Sequence, residues 1–168
     1  MAYTYSKISS VTVGSGGSSS IDFIAIPQNY TDLVVVYSLR STVSSPYANN
    51  LLRFNGDTSS SAMIRLYGDG STASSYSDGS IFDVSNGDTS TSNTFGSGQF
   101  YIPNYAGNTY KSTSGDSTME QNSTTAQLLL TAGLWSKTAT INQVSLVPTS
   151  GTYKQYSMAT LYGIKAEV

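Results

Sequence analysis

Neither cysteine nor histidine occurs anywhere in the 168 residues. Their absence removes disulfide frameworks, thiol nucleophiles and thiolate metal sites, together with the commonest general base and metal ligand. Charge is scarce as well: 11% of residues are Asp, Glu, Lys or Arg, against about 25% in a typical soluble domain. Solubility must therefore come from hydroxyls and amides. The eight Lys and Arg are scattered and the net charge is -2, so the clustered positive surface of a nucleic-acid-binding protein is not expected. Long apolar runs are lacking too. The longest, Leu33 to Tyr37, is far too short to span a bilayer. The start, "MAYTYSKISSVTVGSGG", has no basic segment followed by an apolar core, so a protein made in the cytoplasm with no membrane partner is expected.

What is present is β-forming sequence. Segments rich in β-branched and aromatic residues recur between clusters of Gly, Asn, Asp and Ser, while helical periodicity never holds for long. Strands are expected near Tyr5–Val13, Ile21–Ile26, Leu33–Thr42, Leu51–Phe54, Met63–Tyr67, Ser80–Val84, Gln99–Ile102, Tyr110–Ser114, Ala126–Ala132, Thr140–Val147 and Tyr156–Ala166. Short strands with tight connections predict an all-β fold: one antiparallel β-sandwich, jelly-roll-like, in a single domain over residues 1–168. A chain of this length buries roughly 70% of its unfolded surface, enough for one core without a metal or disulfide.

Alternation assigns faces. In "DLVVVYSLRS" Leu33, Val35, Tyr37 and Leu39 share one face and Val34, Val36, Ser38 and Arg40 the other, which predicts a strand central in its sheet. "GSGGSSS" reads as a loose turn, and Ser85–Gly98 as a long polar loop ordered by a partner or mobile. Between Arg65 and Lys111 the only charges are Asp69, Asp78, Asp83 and Asp88. They read as solvated loop residues, with a patch for a basic partner as the other possibility.

Candidate chemistry is sparse. A glycosidase needs a pair of carboxylates with one pKa raised by apolar surroundings; only Asp22 and Asp83 lie between bulky apolar residues, and alternation predicts that both point outward. There is no G-x-S-x-G elbow, and Ser136 and Lys137 are adjacent and so face opposite ways on a strand. No catalytic, cofactor or metal residues are assigned, and the chain is not expected to be an enzyme. "RLYGDGSTASSYSDGS" contains Asp-Gly contacts that suggest a calcium loop, but it lacks the alternating oxygen ligands and terminal Glu of an EF-hand. It reads as two turns around a polar loop, Asp bonding its own backbone and Gly supplying positive φ. Arg40, Arg53 and Arg65 fall on successive expected strands and would form a row facing an acidic partner if those strands were neighbours. Tyr47, Tyr76, Tyr105 and Tyr153 occupy loop-like positions suited to contacts.

Four stretches in order, "IPQNYTDLVVVYSLRS", "RLYGDGSTASS", "FYIPNYAGNTYKSTSGDS" and "AGLWSKTATINQVSLVPTSGTYKQYSMATLYGIKA", cover about half the chain. This series resembles small virion proteins of tailed bacteriophages, especially those of cyanobacteria and other marine bacteria. The resemblance implies a structural protein of the particle, found as a stand-alone head protein or at a tail-fibre end, and carries no catalytic residues. The expectation drawn from it is a capsid decoration, or cement, protein on the phage head surface. Its partner would be the major capsid protein, it would cluster as a homotrimer, and it would need no cofactor. Met1 to Lys7, with Tyr3 and Tyr5, is the expected arm to a neighbour; Arg40, Arg53 and Arg65 complete the expected interface. The alternative is a tail-fibre or spike tip that holds host polysaccharide on exposed tyrosines and Trp135.

Overall fold

The computed structural model describes residues 3–123 and 126–166. Twelve strands run in the order β1 (Tyr3–Thr12), β2 (Ile21–Phe23), β3 (Asp32–Leu39), β4 (Tyr47–Phe54), β5 (Ser61–Gly68), β6 (Ala73–Asp78), β7 (Phe82–Asn86), β8 (Gly96–Ile102), β9 (Lys111–Met119), β10 (Gln127–Trp135), β11 (Val144–Pro148) and β12 (Met158–Ala166). No helix occurs among the described residues. Eight strands form one sheet in the order β1-β12-β3-β8-β9-β10-β5-β6, and four form a second in the order β2-β11-β4-β7. Every strand pair is antiparallel. The two sheets pack face to face as a β-sandwich.

On β3 the core-facing side chains alternate along the strand. Leu33, Val35, Tyr37 and Leu39 of β3 meet Leu52 and Phe54 of β4 and Val144 and Leu146 of β11 in one continuous core with Phe100, Ile102 and Leu161. β3 lies between β12 and β8, the central position its two apolar faces predict. Tight turns use the expected chemistry. Asn55 and Gly56 both have positive φ, 53° and 71°, and Asp69 Oδ1 accepts the amide N–H groups of Ser71 and Thr72 at 2.9 and 2.7 Å.

Several expectations are corrected. The stretch after Gly70 is not only a loop: Ala73–Asp78 pairs with β5 as the outermost strand. With no neighbour beyond it and little covering it, that strand needs no apolar alternation, so its polar sequence hides it. Tyr3 to Lys7 do not form an open arm, because they pair with β12 from Tyr3↔Ala166 to Lys7↔Tyr162; Met1 and Ala2 lie outside the described residues, as does the Tyr3 side chain. The loop expected over Ser85–Gly98 is shorter, residues 87–95, since β7 and β8 take both its ends. What remains is pinned internally by Arg40. Asp83 points inward and is fully buried, and so are Tyr105 and Tyr153.

Candidate docking face

The large sheet has twice the strands of the small one; the second sheet packs on its inner face, and no sheet packs on its outer face among the described residues, although Val34 and Thr160 there are buried by local neighbours. Register fixes which residues meet on that outer face. One row runs Thr160, Val36, Gln99, Asp116, Leu130, Leu66 and Ser75 across β12, β3, β8, β9, β10, β5 and β6. The next runs Tyr162, Val34, Tyr101, Ser114, Ala132, Ile64 and Ser77. On β10 the alternation puts Leu129 inward while Leu128, Leu130 and Leu134 stand outward.

Leu66 is 58% and Leu130 53% exposed, with Ile64 and Leu128 exposed beside them. Leu66, Tyr67, Gly68, Ala73, Leu128 and Leu130 line a shallow depression of about 480 Å³. Charge is nearly absent from the face: among the described residues Lys7, Asp32 and Asp116 are its only Asp, Glu, Lys or Arg. Asp32 is turned to structural use, accepting the Tyr101 hydroxyl at 2.8 Å and the Asn104 amide at 2.8 Å. A face of this kind is dehydrated at little cost when another protein covers it.

The expected interface residues fall elsewhere, with one exception. Tyr5 is exposed on edge strand β1, its ring edge-on to Tyr162 at 6.3 Å, and so borders this face. The arginine row does not form, because β3, β4 and β5 are not neighbours: β4 belongs to the small sheet, and β5 lies four positions from β3 in the large one. Arg40 is 5% exposed. Its guanidinium donates to the carbonyls of Thr91, Thr94, Asp88 and Ser90 at 2.6 to 3.1 Å, tying down the β7–β8 loop. Arg53 is half-buried on the outer face of the small sheet, opposite Ser145. Arg65 is on the inner face of β5, stacked on Tyr67, Tyr76 and Phe82 at 5.4, 5.0 and 4.7 Å from their centroids. There it caps the open end of the core beside β7. Lys111 is likewise buried and donates to the Gly107 carbonyl at 2.6 Å.

The carboxylates are not paired for acid–base work. Burial pushes the Asp83 pKa up to about 7, opposed by hydrogen bonds from the Tyr37 hydroxyl and the Val84 amide. The same burial raises Tyr37 well above the ordinary phenol value. Asp22 sits on the outer face of β2, held by the Ser145 hydroxyl at 2.5 Å. The two acids therefore lie on opposite sides of the small sheet. Trp135 is 2% exposed, packed on Phe54 with its indole N–H donated to Asp57 at 3.0 Å, so it offers no stacking surface. No cluster of three metal-ligating side chains occurs among the described residues.

The structure thus defines an antiparallel β-sandwich with one large sheet face uncovered and almost uncharged. Neither the protein-family models nor the curated proteins contain a match to the sequence.

Proposed function

We propose that the chain is a structural protein of a tailed-phage particle: a capsid decoration protein that lays the outer face of its eight-stranded sheet on the major capsid protein of the assembled head. The observation that carries this reading is the exposed apolar cluster Ile64, Leu66, Leu128 and Leu130 on a face with three Asp, Glu, Lys or Arg among the described residues. Exposed leucines clustered on adjacent strands near a sheet edge are an aggregation liability unless something covers them. A rigid sandwich suits this work, since a protein that binds only the closed lattice stabilises it by mass action. Clustering as trimers would multiply weak contacts through avidity. The resemblance of four ordered stretches to phage virion proteins supports the same reading. The jelly-roll expectation draws support from the strand order, in which β2, β4 and β7 belong to one sheet and β3, β5, β6 and β8 to the other, the alternation two Greek keys produce.

Co-sedimentation of the purified chain with heads that lack it tests the proposal. The wild-type chain is expected to pellet saturably, and Leu66→Lys and Leu130→Lys each to weaken binding by at least about tenfold, since each puts a charge into a desolvated contact. Equal binding by both variants would refute the assignment of this face. Dimerisation through the same leucines, with no head binding, would assign it to a second copy instead.

A further inference from the structure

A second surface shares no residue with the sheet face. At the end of the sandwich where β3 finishes and β12 begins, four segments enclose an open pocket of about 450 Å³. They are the β1–β2 turn, the chain after β3, the β7–β8 loop and the β11–β12 loop.

The backbone beside it is strained. Lys154 to Ser157 form a turn closed by the Ser157 N–H to the Lys154 carbonyl at 3.1 Å. Its third residue, Tyr156, has φ of 72°. Turns that need positive φ at this position ordinarily carry Gly or Asn, and a bulky residue there costs about 1–2 kcal/mol. Side-chain packing does not offset the cost, because Tyr156 is 69% exposed. The backbone of the turn is held by the fold, the Tyr156 N–H donating to the Val13 carbonyl at 3.0 Å, while its side chain is left standing at the pocket, as strained residues at binding sites often are.

The lining says what would bind. Phe95 and Tyr156 supply ring faces; Thr42, Asn93 and Gln155 supply neutral hydrogen-bonding groups. The charges are already committed. Lys154 pairs with Asp88, and the Arg40 guanidinium is spent on four loop carbonyls. A pocket without free charge favours neither a phosphate nor a cation. Ring faces set among amides and hydroxyls match a neutral molecule with one apolar C–H face and a rim of hydroxyls. We infer that this end pocket is a saccharide-binding site, with Tyr156 as the stacking platform and Asn93 and Gln155 as hydroxyl partners. Its size suits one or two sugar rings.

The pocket is tested by chemical-shift titration of the full chain with glucose, galactose, mannose and N-acetylglucosamine, and with cellobiose, lactose, maltose and chitobiose. At least one is expected to bind saturably, with Kd on the order of 0.1–10 mM, moving the signals of Phe95, Asn93 and Tyr156. Tyr156→Gly relieves the backbone and is expected to leave the melting temperature unchanged or raised, while lowering affinity about tenfold or more. Gly16→Trp is the second variant: Gly16 lines the pocket and a Cβ there meets nothing within 4 Å, so a side chain can start from this position, and the indole is expected to obstruct the pocket and weaken binding. Failure of all eight sugars to saturate those signals would overturn the inference. So would binding that survives both substitutions, or inorganic phosphate or sulfate saturating the pocket where the sugars do not.

Discussion

Asp83 and Arg40 illustrate what single charged residues do in this chain. Asp83 is buried between the sheets, and its pKa rises from 3.8 to about 7. The folded chain therefore holds this proton more tightly than the unfolded one, and stability declines as pH rises from about 4 to about 7, then levels off. At about 1.4 kcal/mol per pKa unit the ceiling on this loss is roughly 4 kcal/mol. Denaturant unfolding at pH 5 and pH 8 is expected to find the wild type weaker at pH 8, and Asp83→Asn close to equal at both; an Asp83→Asn chain with the wild-type difference would place the titration elsewhere. Arg40 acts through four carbonyls rather than through a partner protein. Arg40→Leu removes all four of these bonds, leaving the Thr91 carbonyl the Thr94 amide and hydroxyl as donors, and is expected to cost about 3 kcal/mol, as breaking a buried network does. Amide exchange should accelerate across residues 87–95, and unchanged protection there would contradict the role given to Arg40.

Strand β10 carries the sharpest test at the scale of elements, because adjacent leucines do opposite work. Leu129 packs with Val84 and Met119 in a buried cluster, so Leu129→Ala is expected to cost about 2–4 kcal/mol. Leu130 faces out, and Leu130→Lys should change stability by no more than about 0.5 kcal/mol in thermal unfolding. A large loss from Leu130→Lys would mean that the outer face is part of the fold rather than a surface. The sequence made much of this level legible. β3 was readable as a central strand from its two apolar faces, and the Asn-Gly and Asp-Gly turns from their chemistry. β6 was not, because an outermost strand needs no apolar face. "QLLLTAGLW" was readable as a strand, yet a run that is apolar on both sides looks the same whether the second side is covered by the chain itself or by another protein. Asp83 was missed for a related reason. β7 is buried on every residue, so alternation could not tell which of its polar side chains pointed inward, and only the approach of β9 and Tyr37 decides it. The arginine row failed because spacing along the chain says nothing about which sheet a strand joins.

At the scale of the molecule, the sandwich separates two surfaces: a broad, weakly charged sheet face and a polar pocket at one end. That separation lets a chain bound flat by its sheet keep its end loops free. On the proposed function, the sheet face is covered many times over by a repeating lattice. The most direct measurement is the number of copies in each particle, by quantitative mass spectrometry against the major capsid protein. Decoration of a closed lattice predicts hundreds of copies in fixed ratio to that protein; a few dozen or fewer would contradict the account and assign the chain to the tail.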